Sequence, residues 1–339
     1  MTFLKSLFPR HGDLLPEDRL IFILSAPRSG SSLIAHVLSH HPRLYYDSEP
    51  WLMLAFSQFA RLDIRSEAGA WHVNKAVNDF LGSRRGDLLA RAARAVYAGK
   101  LPAGKTHFLD KTPRYYLIVD ELRRYFPHAH FLVLRRSPLD IAASFKSSWG
   151  LDLSPDGLGR GADSMLFDAF FGPEIINSLR AEDFARAPCF VDYESFVSDP
   201  VAHLRRILTA LGLSVRQAHL DRMLRVDGAQ IDQARFGDRK IRSTTAVHAQ
   251  SLESWRTVLS PSEAQLVAAY HGLEGVGASA EERAQACERA EALRDHLRAQ
   301  LRLRRFQQER AVALGTSLAA GDKRIADAYF SLFGAPKKA

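Results

Sequence analysis

The sequence predicts an α/β protein: a doubly wound parallel sheet flanked by helices, followed by a helical C-terminal extension. Three observations predict it. Short apolar runs of strand length alternate with helix-length stretches over the first two thirds of the chain. The first run, Leu20–Ser25, is continuously apolar, as expected of a strand covered on both faces. Past a small-residue break at 272–280 only helical spacing remains.

The elements follow in order. After the strand Leu20–Ser25, residues 31–39 place Leu33, Ile34, Val37 and Leu38 at helical spacing. Stretches 50–59, 71–81 and 87–97 read as three more helices, and 106–110 as a second strand followed by a helix over 114–125. His130–Arg135 is the clearest strand, and Pro138 opens the next helix as a first-turn proline. Residues 147–163 turn glycine-rich and lose periodicity, which suits either a lid over a site or a plain surface loop. Cys189–Asp192 reads as a fourth strand with a helix over 201–211 behind it. From 280 to 310, Ala286, Ala290, Leu293, Leu297 and Leu301 recur along one helical stripe, with arginines on the other faces. Such a stripe suits packing on its own domain, pairing with a second copy into a homodimer, or presenting a basic face to an acidic acceptor. The expected division is a domain over 1–272 and an extension over 273–339.

Composition narrows the class. The chain has 339 residues, 46% hydrophobic and 25% charged, which excludes collagen-like and disordered chains. Its two cysteines, Cys189 and Cys287, lie far apart with no Cys/His cluster, so neither a disulfide framework nor structural zinc is expected. No apolar run reaches the ~20 residues of a membrane span, and residues 1–9 lack a secretory pattern, so a soluble, cytoplasmic protein is expected. The net charge of +8 points to an anionic partner. No zinc-finger spacing or RNA-binding signature accompanies it, so nucleic acid is not expected.

The first strand runs into Ser25-Ala26-Pro27-Arg28-Ser29-Gly30-Ser31-Ser32 and then a helix. Small residues, free backbone N–H groups and a positive helix end make this an anion-binding context. A nucleoside-triphosphate loop would read GxxxxGK[ST]. Here Ser25 replaces its first glycine and Ser31 its lysine, while Arg28 supplies a cation three positions earlier. A phosphate loop is expected, but not an ordinary ATPase loop.

At this loop the chain resembles sulfotransferases that use 3′-phosphoadenosine 5′-phosphosulfate (PAPS), in particular their carbohydrate and protein-tyrosine branch. His41-Pro42 and Glu49-Pro50 follow as they do there. Phe108-Leu109-Asp110-Lys111-Thr112-Pro113-Arg114-Tyr115 resembles the family's D/E-K-[ST]-P-x-Y segment. Phe126-Pro127 through Arg135-Arg136-Ser137-Pro138 resembles its FPxAxFIxLxRDP strand. Asp192-Tyr193-Glu194-Ser195-Phe196, Asp199-Pro200 and Leu211-Gly212-Leu213 resemble its YExLxxDP…LGL stretch, and Ser254-Trp255-Arg256 a late W[RK] element. The resemblance spans about residues 20–260 and rests on order and spacing more than on any single motif.

The resemblance implies a P-loop-like fold, PAPS as donor, adenosine 3′,5′-bisphosphate as product, no required metal, and a hydroxyl acceptor on a carbohydrate, a tyrosine or a small molecule. Arg28, Ser29, Gly30, Ser31 and Ser32 would hold the 5′-phosphosulfate. Arg136, at a strand end, and Ser144, eight residues on, would bind the 3′-phosphate; Arg135 is the competing arginine. Tyr193, Arg242 and Ser243 would add nucleotide contacts. Charge builds on the bridging oxygen as sulfate leaves, so Arg28 and Lys111 are the expected stabilisers. Glu49 is the expected general base, with His107 of Lys105-Thr106-His107 as its rival. Asp110 would orient Lys111 or Arg28, or imitate a metal ligand. Two other classes stay open: a P-loop-type phosphotransferase, and a catalytically silent nucleotide-binding scaffold joined through its last helix.

Overall fold

The computed structural model describes residues 14–62, 64, 66, 68–154, 163–225, 251–274 and 276–319, with side chains, that of Asp163 apart, as far as Leu301. Five parallel strands form the sheet: β1 (Leu20–Ser25), β2 (Leu44–Ser48), β3 (His107–Lys111), β4 (His130–Arg135) and β5 (Cys189–Asp192). Their order is β2-β3-β1-β4-β5. The chain leaves central β1 towards one edge and returns to build the other, so the carboxyl end of β1 is the switch point of a doubly wound sheet. All six residues of β1 are fully buried, the reason its sequence is apolar without alternation.

Two strands differ from the sequence expectation. β2 is an addition, because Leu44-Tyr45-Tyr46-Asp47-Ser48 holds one aliphatic residue and buries only Leu44. Its strand character comes from pairing, in register from Leu44 opposite His107 to Ser48 opposite Lys111. β3 begins and ends one residue later than expected, so Lys111 is the last strand residue rather than the first beyond it.

The helices are α1 (Ser31–Ser39), α2 (Leu52–Ala60), α3 (Ala70–Leu81), α4 (Arg85–Lys100), α5 (Val119–Tyr125), α6 (Pro138–Trp149), α7 (Asp163–Leu166), α8 (Gly172–Ser178), α9 (Tyr193–Ser198), α10 (Pro200–Ala210), α11 (Gln217–Leu224), α12 (Trp255–Val258), α13 (Pro261–His271) and α14 (Ala280–Ala319). The stretch expected as one helix over 114–125 opens as a 3-10 turn, Pro113–Ile118, and becomes α-helical only after Ile118, whose φ of −134° breaks the spiral. A π-helical turn, Phe167–Phe171, separates α7 from α8. Between α1 and β5, the core packs Leu33, Ile34, Val37 and Leu38 against Ile21, Ile23, Leu132, Leu134 and Val191, and extends to Leu204, Ile207 and Leu208 of α10. Asp199 caps α10 by accepting from Ala202 N at 3.0 Å, and Pro200 fills the first turn.

The chain divides into two compact units, residues 1–53 with 90–297, and residues 54–89 with 298–339. The first holds the sheet. In it, Ala286, Ala290, Leu293 and Leu297 of α14 are buried. Arg289 donates to Leu153 O at 2.9 Å, and Arg294 to Tyr270 O at 2.6 Å, with its guanidinium 4.9 Å from the Tyr270 ring. The apolar stripe is thus filled from within the chain as far as Leu297. In the second unit, Asn74 brackets Ile64, donating to its O at 3.2 Å and accepting from its N at 3.1 Å, and Arg85 donates to Ala60 O and Asn78 Oδ1.

Candidate active site

Each of the five strands delivers one candidate residue at its carboxyl end. Arg28 follows β1, Glu49 directly follows β2, Lys111 ends β3, Arg136 directly follows β4 and Tyr193 directly follows β5. Parallel pairing turns motifs scattered over 166 residues of sequence into one cluster.

The loop after β1 is an open cradle. Arg28 and Gly30 both take left-handed φ, 68° and 87°. Successive N–H groups in such a turn can converge on an anion, and the N-terminus of α1 adds its positive end. Gly30 is required twice. Its φ disfavours a side chain, and a Cβ there would run into the Tyr193 ring, with Cζ at 3.2 Å and two ring carbons closer still. Ser25 Oγ and Ser29 Oγ are buried without a hydrogen-bond partner among the described residues. Two unpaired buried hydroxyls beside a left-handed turn fit a loop built to be completed by an anion.

Lys111 joins this cradle to a carboxylate. Its side chain is fully buried, and Nζ donates to Ser32 Oγ on α1 at 3.0 Å and to Glu49 Oε1 at 2.8 Å. Glu49 remains partly accessible, at 13% of its side chain. The backbone holding it is strained: Glu49 and Trp51 adopt φ of 54° and 57°, outlying values for non-glycine residues. Two bonds to the end of β3 hold the turn, from Glu49 N to Lys111 O at 3.1 Å and from Trp51 N to Thr112 Oγ1 at 3.4 Å. Strain of this kind gathers where geometry serves function.

Arg136 rather than Arg135 reaches the loop. Arg136 donates to Arg28 O and to Ser251 O, both at 2.9 Å, and its guanidinium lies 4.5 Å from the Tyr193 ring. Its Nε is buried and unpaired among the described residues. Arg135 turns away, donating to Leu179 O and stacking on Phe190. Ser144 departs from the expected pairing: its Oγ accepts from Arg28 Nε at 3.0 Å, and Arg28 also reaches Ser148 Oγ at 3.4 Å and the Trp149 ring. Arg28 therefore links Arg136, through its carbonyl, to Ser144, through its side chain. Tyr193 donates to or accepts from Ser251 Oγ at 3.1 Å. Arg242 and Ser243 lie outside the described residues.

Asp110 does not orient Lys111 or Arg28. Alternation along β3 turns it to the other face, where it accepts from Tyr97 Oη at 2.6 Å, Tyr115 Oη at 2.7 Å and Thr112 Oγ1 at 3.1 Å. Burial pushes its carboxyl up to about 6, against the pull of those three hydroxyls. His107 sits at the amino end of β3, four residues back from Lys111. At ~3.3 Å per residue that is about 13 Å away. Burial first, then the neighbouring His130 and Arg19, push its imidazole down to about 4.

Two contacts gave no clear signal in the sequence. Asp168, on the π-helical turn, takes Arg114 bidentately, from Nε at 3.0 Å and NH2 at 2.7 Å, and accepts from Tyr116 Oη at 2.8 Å. Arg114 in turn lies 5.9 Å from the Trp51 ring, close enough to Glu49 to feel its charge. Asp140 accepts from Glu253 N, Ser254 Oγ and Trp255 N, which docks the segment carrying Ser251 against α6. Both are single acids in ordinary helical sequence, and only the fold shows what they hold.

The sulfotransferase family matches residues 20–217, and the chain belongs to that family. It is 34% identical over 270 residues to the nodulation protein NoeE of Sinorhizobium fredii, covering 75% of this chain and 64% of that protein. It is 24% identical over 261 residues to an uncharacterized protein of Aquifex aeolicus, covering 71% of this chain and 31% of the other. The chain therefore spans less than two thirds of the length of these curated relatives. Among solved structures, the sulfotransferase domain of the Synechococcus PCC 7002 olefin synthase aligns with a TM-score of 0.49 at 22% identity, over 79% of this chain and 98% of that one. Among the described residues no helix is long and apolar enough to cross a membrane.

Proposed function

We propose that this chain transfers a sulfuryl group from PAPS to an acceptor hydroxyl by in-line displacement. One observation carries the reading: Lys111 Nζ bridges the head of the anion cradle, at Ser32, and the Glu49 carboxylate. A cation placed there can meet the bridging oxygen on one side while the carboxylate serves the attacking hydroxyl on the other.

The cradle of Ser29, Gly30, Ser31 and Ser32, with Arg28, suits the 5′-phosphosulfate. The buried hydroxyls of Ser25 and Ser29, unpaired among the described residues, and the left-handed turn at Arg28 and Gly30 support this reading. Arg136 and Tyr193 suit the nucleotide's 3′ side, with Arg242 and Ser243 proposed beside them. Ser144 enters through Arg28, which it holds. In the reaction the acceptor O–S bond forms as the bridging S–O bond breaks. The acceptor proton passes to Glu49, and the electron pair leaves on the phosphate of adenosine 3′,5′-bisphosphate, next to Lys111 and Arg28. Residues 1–272 would form the sulfotransferase domain, and the acceptor would be a carbohydrate, tyrosine or small-molecule hydroxyl.

The test is PAPS-dependent turnover over a panel of acceptors, with sulfated product read by mass. Glu49→Gln keeps an oxygen facing Lys111 but loses the base, so turnover should fall by about 10²-fold or more while adenosine 3′,5′-bisphosphate still binds. Normal turnover in Glu49→Gln together with a dead His107→Ala would assign the base to His107 instead.

A further inference from the structure

The opposite edge of the sheet carries a second basic concavity. A cavity of about 500 Å³ opens at the amino ends of the strands, between the turn after α1, the start of β3 and the loop joining α10 to α11. Arg19, Arg43 and Arg216 line it, with His107 and His219. All three arginines are exposed. None makes a side-chain hydrogen bond or ion pair to another described residue.

Arginines of a solvated surface usually splay outwards on mobile supports. Here the supports are pinned. Thr106 N and His107 N both donate to Arg43 O, at 2.8 and 3.0 Å, which locks the Arg43 turn to β3. Fully buried His41 accepts from Arg43 N at Nδ1, 3.3 Å, which leaves its Nε2–H to donate to Ser214 O at 3.2 Å. One imidazole thus ties the Arg43 turn to the loop that carries Arg216. His219 stands edge-on to His41, with ring centres 4.8 Å apart.

The surrounding charge is mostly of one sign. Next to burial, cations dominate what His107 feels, with exposed Asp18 the acid that opposes them. His41 is pressed down by burial and by His219, Lys105 and Arg43. Guanidinium groups on fixed supports around a pocket of this size match a small ligand with more than one negative charge.

We propose that this pocket is a second anion-binding site, taking a small phosphate or sulfate ester through Arg19, Arg43 and Arg216. Two sources share that chemistry, a nucleotide bisphosphate and a sulfated saccharide. Because the pocket lies about 13 Å along β3 from Lys111, its occupant and the donor can be bound together.

The test is titration of the full chain with inorganic pyrophosphate, following the imidazole resonances of His107 and His219. Saturable shifts are expected. Arg43→Ala/Arg216→Ala should weaken the apparent affinity by about tenfold or more, and Arg43→Lys/Arg216→Lys should recover part of it. These positions are exposed, so circular dichroism should show both variants folded. Competition against adenosine 3′,5′-bisphosphate and a disulfated disaccharide then identifies the source. Shifts that never saturate, or an affinity unchanged in the double alanine variant, would overturn the site. Displacement by neither competitor would overturn the proposed ligand class.

Discussion

Gly30→Ala tests the link between backbone geometry and donor binding. The substitution has two separable costs. A Cβ at φ 87° enters the left-handed region, at about 1–2 kcal/mol. The same Cβ meets the Tyr193 ring, which has little room to yield, since Arg136 lies 4.5 Å from it and its hydroxyl is bonded to Ser251. Overpacking of this sort costs about 1–3 kcal/mol. Together they amount to about 2–5 kcal/mol, a large part of the ~5–15 kcal/mol that holds a typical domain. Urea unfolding should show a lower midpoint at unchanged slope, and calorimetry a weaker affinity for adenosine 3′,5′-bisphosphate as Tyr193 and Arg136 are displaced. Tyr193→Ala in the same chain removes the clash but not the backbone cost. The double variant should therefore fall short of the two single losses added together by about 1–3 kcal/mol. Strict additivity, or a Gly30→Ala protein with unchanged midpoint and affinity, would refute the packing argument.

Further outcomes follow from single contacts. Arg136→Ala should weaken adenosine 3′,5′-bisphosphate by about 2–5 kcal/mol and AMP far less, measured by calorimetry; equal losses would remove Arg136 from the 3′-phosphate. Asp110→Asn should change the pH dependence of stability. Folding raises the carboxyl to about 6, so its ionisation costs native stability as pH climbs through that value, and below the ordinary carboxylate range the cost is absent. The stability of Asp110→Asn relative to the unaltered chain should therefore rise between about pH 4 and 6 in parallel urea titrations. Asp168→Asn frees Arg114 beside Trp51 and Glu49, so acceptor KM should rise by about tenfold while donor affinity holds. A fall in donor affinity instead would place Arg114 on the nucleotide side.

The parts of the fold legible in the sequence are those written locally. β1 and β4 are continuous apolar runs, and Pro138 and Asp199-Pro200 announce their helices through first-turn chemistry. β2 was not legible, because a sheet-edge strand of Leu-Tyr-Tyr-Asp-Ser has no pattern of its own and exists through its register with β3. The partners of Asp110 were hidden for a related reason. Moving the end of β3 by one residue changes nothing in composition, yet alternation then sends Asp110 to Tyr97 and Tyr115, and Lys111 to Glu49. Asp140 and Asp168 have partners 113 and 54 residues away, a distance that no local pattern encodes.

The same alternation bears on the choice of base. β3 carries a histidine at its first residue and a lysine at its last, and a short parallel strand cannot bring both ends to one reaction centre. Ligands of a doubly wound sheet gather at the carboxyl ends, where the cradle after β1 and the strained Glu49 turn also lie. His107 is at the other edge, where burial first, then His130 and Arg19, disfavour the imidazolium a base would have to become. Glu49 lies at the carboxyl ends, and in the proposed reaction Lys111, 2.8 Å from Glu49 Oε1, stands between that carboxylate and the leaving oxygen. A 2.8 Å ion pair between adjacent strand ends thus sets one cation beside the proposed base and the proposed leaving group together, and it is this position at the carboxyl ends that favours Glu49 over His107 in the proposed reaction.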